Sequence, residues 1–161
     1  MITFDVKVSS DAVDKALLRL ILFSQKPKLD DALRKIAGIY LRSTEQRFES
    51  MTNPKGQPWK RNSLATKRLK AKGGMGKQRA IDGPNHVGVW TGKLATSIQY
   101  EVVGNSIRIG SKVPYASLFN DGHAGKKPWG ATPARPFLGQ TQKADNEVLN
   151  LLKRFYESAI R

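Results

Sequence analysis

The stretch Val113–Gly139, VPYASLFNDGHAGKKPWGATPARPFLG, decides how the rest of the chain is read. It has two unlike halves. Tyr115, Ala116, Leu118 and Phe119 form an apolar cluster that stops at Asn120-Asp121-Gly122, a turn signal in which glycine supplies the positive φ. A glycine- and lysine-rich passage follows, and then Pro133-Ala134-Arg135-Pro136-Phe137-Leu138-Gly139. Each proline fixes its own φ and drives its predecessor toward extended geometry, so Arg135 is held in stiff, extended backbone. The stretch has no nucleophile–base pair and suits docking rather than chemistry.

Working outward, Ile2, Phe4, Val6 and Val8 alternate with Thr3, Asp5 and Lys7, the period of a half-buried strand. Ser9-Ser10-Asp11 offers N-cap oxygens to a helix over about 11–23, which ends at Gln25-Lys26-Pro27. A longer helix is predicted over about 28–50. Its apolar stripe runs Leu29, Leu33, Ile36, Ala37, Tyr40, Leu41, Thr44, Phe48, and Asp30 and Asp31 sit in its first turn. Ser63 caps a short helix to about Ala71, and 72–88 reads as a mobile, basic, glycine-rich loop. Thr91-Gly92-Lys93-Leu94 opens a turn or short helix. Ile98, Tyr100, Val102 and then Ile107, Ile109 alternate across Gly104-Asn105, a hairpin signal. A last helix spans about 141–160. The fold class is therefore α+β, a single domain over 1–161 in which a small antiparallel sheet is packed by two or three helices, with a long basic loop.

Charge is the strongest compositional signal: 28 Lys and Arg against 13 Asp and Glu, net +15, drawing the chain toward nucleic acid or acidic surfaces. No acidic residue occurs between Ser50 and Ile81, where Lys55, Lys60, Arg61, Lys67, Arg68, Lys70, Lys72, Lys77 and Arg79 lie. This run reads either as a solvated loop or as a contact for phosphates or an acidic partner. Trp59 is the one aromatic residue there, which argues against base stacking. Cysteine is absent, excluding disulfides and thiolate metal sites and fitting a reducing cytoplasm. The longest apolar run, Ala16–Phe23, is interrupted by Arg19 and too short to cross a bilayer, and MITFDVKV lacks the regions of a secretion signal. Neither Gly92-Lys93-Leu94 nor Gly76-Lys77-Gln78 completes a phosphate loop. The two histidines, His86 and His123, lack metal-ligand spacing, and carboxylates are sparse. No metal, no cofactor and no enzymatic activity are expected.

Trp59 after a Pro-Gly-containing turn, Thr66, Trp90-Thr91-Gly92-Lys93-Leu94 with Ser97-Ile98, Val113-Pro114-Tyr115-Ala116, Gly122 and Pro133–Gly139 follow one another in an order that resembles the phage virion morphogenesis (tail completion) proteins of Mu-type tailed phages and their prophages. The resemblance runs from about Arg47 to Gly139 and implies a structural protein of the head–tail junction, assembled in the bacterial host cytoplasm. Such proteins finish tail or neck so that capsid and tail join, and the resemblance implies that role here. Related neck and tail-terminating proteins form rings, commonly of six, around the DNA channel. The expected partners are thus further copies of the chain, other neck and tail proteins, and DNA contacted without sequence preference; no membrane is implied.

A ring needs one patch of a subunit to meet a different patch on the next. Pro133, Arg135, Pro136, Phe137 and Leu138, with Trp90, Tyr115 and Phe119, are candidates for that interface, because a prestiffened segment loses little entropy on docking. The other reading has Phe137 capping the core of its own subunit and Arg135 pairing there. Lys60, Arg61, Lys67, Arg68, Lys70, Lys72, Lys77 and Arg79 are the candidates for contact with DNA or an acidic neighbour. A stand-alone, sequence-nonspecific nucleic-acid-binding protein is the alternative function.

Overall fold

A computed structural model describes residues 2–6, 26–73, 83–88, 91–104, 106–125 and 131–160. The predicted helix over 11–23 lies outside them. Among the described residues are three strands, β1 (Ile2–Val6), β2 (Ile98–Val103) and β3 (Ser106–Ser111). The helices are α1 (Lys26–Ser50), α2 (Leu64–Lys72), α3 (Lys93–Thr96), α4 (Ala116–Asp121) and α5 (Gln142–Ile160). The α+β architecture read from the pattern is the one found.

The sheet is antiparallel in the order β1-β3-β2. Gly104, at φ 59, turns the chain after Val103 so that β3 folds back on β2. Ile98, Tyr100 and Val102 stand opposite Ser111, Ile109 and Ile107, and Ile2, Phe4 and Val6 take the same three positions from the other side. The period of two thus aligns the predicted apolar sets of all three strands, and Ile98, Ile107 and Ile109 are buried in the core.

Helix α1 contacts both the sheet and α5. Leu33, Ile36, Ala37, Tyr40, Thr44 and Phe48 are buried as the stripe requires, joined by Ala32, Ile39 and Arg47. The helix starts at Lys26, with Pro27 in its first turn, where a missing N–H is harmless; Asp30 and Asp31 therefore fall beyond that turn. Across the α1–α5 seam the Tyr40 hydroxyl donates to Asp145 Oδ1 at 2.7 Å, and Ser43 Oγ meets Thr141 Oγ1 at 3.2 Å. Thr141 Oγ1 also accepts from Ala144 N, capping α5, and Ala144, Val148 and Leu152 carry that helix's buried face.

Two expectations are corrected. Phe119-Asn120-Asp121 is the last turn of α4, and Gly122 closes it by donating to Leu118 O; the turn signal marks a helix end. Gly122, at φ 76 and ψ 178, occupies backbone open only to glycine, and an added Cβ would lie 2.5 Å from Ala134 N. Of the loop expected over 72–88, residues 74–82 lie outside the described residues, and only its two described ends are corrected: both are tied down. Lys72 ends α2 under the left-handed cap of Gly73, while Val87 is buried and Gly88 packs against Phe119 and Trp59. Asn62 Nδ2 donates to Pro84 O and His86 O, which fastens 83–88 to the start of α2.

Two outcomes follow. Gly122→Ala is expected to cost about 3 kcal/mol in urea unfolding, the sum of a forbidden conformation and a backbone clash. Gly56→Ala, with φ 78 but open space around it, should cost only about 1 kcal/mol. The Tyr40 phenol has its pKa raised above 10.0, first by burial, then by its hydrogen bond to Asp145 and that carboxylate's charge. A folded pKa above the unfolded one means stability that is complete below about pH 10 and lost as pH rises past it. Thermal melting should therefore decline more steeply above that pH in the unaltered chain than in Tyr40→Phe.

Candidate assembly surface

The segment 133–139 belongs to no sheet, yet six of its backbone polar groups between Arg135 and Gly139 have partners drawn from distant parts of the chain. Arg135 N donates to Phe119 O at 2.9 Å, and Trp59 Nε1 donates to Pro136 O at 2.9 Å. Asn120 Oδ1 accepts from both Phe137 N and Leu138 N, at 3.1 and 3.3 Å. The guanidinium of Arg47 closes the set, with Nη1 donating to Phe137 O at 2.6 Å and Nη2 to Gly139 O at 2.8 Å. The same two nitrogens donate to Thr44 Oγ1 and Ser43 Oγ. Burial pushes the Arg47 pKa down to about 10, and among the described residues no carboxylate pairs with it.

This clamp seats Phe137 in an aromatic cluster with Phe48, Trp59 and Phe119. Phe48 is edge-on to Trp59 at 5.4 Å and tilted to Phe137 at 5.2 Å, and Trp59 is edge-on to Phe119 at 5.4 Å. Arg135 lies 5.6 Å from the Phe119 ring centroid and donates from Nε to Lys60 O. Phe137 is 0% exposed, and Leu138 and Arg135 are buried too. That corrects the interface expectation for these three. Their side chains are consumed inside one subunit, because a stiff extended segment docks as readily onto its own chain as onto a neighbour. Pro133, Pro136 and Phe119 are half-buried around them, and Trp90 lies outside the described residues.

A profile of the phage virion morphogenesis family matches residues 8–157. The chain belongs to the phage virion morphogenesis family. No curated protein and no solved structure gives a significant match. Membership gives the protein a role in phage virion morphogenesis, and the motifs that carried the resemblance acquire physical functions. Trp59, Gly122 and Pro133–Gly139 are parts of one fastening, and Leu94 is buried in the shared core.

With the proline-braced segment internal, other side chains face outward. Tyr115 and Leu118, three residues apart at the start of α4, are 45% and 48% exposed. Lys60, Arg61, Arg68 and Lys72 are exposed and Lys67 half-buried. Lys70 is a correction: it is 5% exposed, and its Nζ donates to His86 O at 2.6 Å, holding α2 to segment 83–88. Lys77 and Arg79 lie outside the described residues. Among those described, no three His, Asp or Glu side chains gather as metal ligands.

Sequence reading missed Arg47 and Asn120. The signal for Arg47 was present, since it falls between Thr44 and Phe48 on a stripe that is otherwise apolar or hydroxylic. Asn120 carried none, because its side chain acts on residues 17 and 18 positions away. Arg47→Met should lower unfolding stability by about 2–4 kcal/mol by orphaning the carbonyls of Phe137 and Gly139. Arg47→Lys should lose nearly as much, because an ammonium lacks the planar fork that reaches both; urea midpoints check both.

Proposed function

We propose that this protein completes the tail or neck of the phage particle and joins head to tail, as a non-enzymatic subunit of a ring around the DNA channel. The observation that carries the reading is the family match over residues 8–157. The surface supports it. A ring brings a different patch of each subunit against the next, and Tyr115 with Leu118 supplies an exposed apolar patch for one side. Copies of a +15 chain repel one another, so a ring of them is stable only beside something negative, either DNA in the channel or an acidic neighbour. The exposed cations of Lys60–Lys72 face outward for that contact. On this reading the protein resides in the virion at the head–tail junction, after assembly in the host cytoplasm.

Net charge alone favours a second reading, a stand-alone protein that binds nucleic acid without sequence preference. Such a protein, neutralising about five phosphates, would bind free duplex with a log–log salt slope near −4.5. Particles from a phage carrying Arg61→Glu/Arg68→Glu/Lys72→Glu should appear in negative stain as separate heads and tails, with the purified variant melting as the parent does. Joined, infective particles would overturn the proposal.

A further inference from the structure

The outer face of α2 holds a pattern that phosphate binding leaves unexplained. At about 100° per residue, the exposed side chains run around the helix in the order Ala71, Leu64, Arg68, Lys72, Ala65, Leu69. Two cations are thus flanked on each side by a leucine, one 74% and the other 51% exposed. The helix is a fixed platform. Ser63 Oγ accepts from Thr66 N at its start and Gly73 caps its end, while Lys70 on the opposite side ties it to His86 O. Arg61, exposed just ahead of the cap, extends the positive face, and no carboxylate of the described residues pairs with these cations.

We propose that this face docks an acidic segment of another protein, one that presents carboxylates in the middle and apolar side chains at both margins. It deepens the reading above by naming the partner of that basic surface. Charge complementarity selects a negative partner, and the leucines then choose among negative partners. A duplex backbone offers cations only phosphates and sugars, leaving both leucines in water. A single strand needs aromatic platforms, and α2 has none. An anionic bilayer accepts a helix whose apolar residues share one face, whereas Leu64 and Leu69 stand on either side of the cations. A carboxylate-rich protein segment satisfies all four side chains, with apolar contacts supplying what charge does not.

The test is fluorescence anisotropy on the full chain with four probes. These are a peptide with leucines on both sides of a glutamate run, an oligoglutamate of equal charge, a short DNA duplex, and vesicles containing phosphatidylserine. The leucine-flanked peptide should bind about tenfold tighter than oligoglutamate. Leu64→Ser/Leu69→Ser should erase that advantage while leaving oligoglutamate binding within about twofold, and Arg68→Glu/Lys72→Glu should weaken both peptides. All four positions are exposed, and unchanged melting of each variant verifies the fold. Equal affinity for the two peptides overturns the proposal. So does a preference for duplex or vesicles that ignores the leucine substitutions. If the peptide results hold but phage lacking this chain still yields joined particles, the head–tail role fails and the docking surface stands.

Discussion

A guanidinium that no carboxylate of the described residues pairs with is buried beside the aromatic cluster, and the surrounding core is arranged to accept it. Burying a lone cation is costly, and four oxygens offset much of that cost, two hydroxyls from α1 and two carbonyls from the segment 137–139, although the buried Nε finds no hydrogen-bond partner among the described residues. Arg47 also lies in the last turn of α1, where the unpaired carbonyl end of the helix favours positive charge. Its fork reaches two backbone carbonyls at once, which fixes both the height and the direction of the passing strand. Phe137 is thereby held among Phe48, Trp59 and Phe119, and the two ends of the aromatic cluster cannot separate without orphaning the cation.

The same arrangement explains why backbone that belongs to no sheet survives in a buried position. Buried carbonyls and amides need partners, and a segment with prolines at 133 and 136 makes a poor strand. Side chains therefore act in place of a neighbouring strand: Asn120 takes two amides, Trp59 one carbonyl and Arg47 two. Gly122 completes the fit, because only a residue without a Cβ lets the end of α4 lie against Ala134.

What sequence could reveal follows from range. Elements set by local periodicity were legible: the α1 stripe from Leu33 to Phe48, the alternation of Ile98–Val102 and Ile107–Ile109, and the Ser63 cap, all of which encode their geometry within a few residues. The fate of Pro133–Gly139 was not. Extended, proline-stiffened backbone is a property of the segment alone, whereas its partner is a helix some ninety positions earlier. Lys70 and Arg68 make the same point on a smaller scale. Both read as members of one basic run, yet Lys70 is buried with its Nζ donating to His86 O, while Arg68 is exposed. Charge counted along a chain therefore overstates the cations a partner meets.

The fastening spans unusual distances along the chain. Arg47 is 90 residues from Phe137, Tyr40 is 105 from Asp145, and β1 pairs with β3 from Ile2 to Ser111. Contacts of such separation make folding slow, since long loops must close before any stabilisation is returned. During translation, α1 leaves the ribosome well ahead of Phe119 and Phe137, which cover Phe48, and of the Phe137 and Gly139 carbonyls that Arg47 holds. The nascent chain must carry that apolar and cationic face incompletely covered until Gly139 has been synthesised, an interval in which a chaperone, or another nascent copy, can bind it.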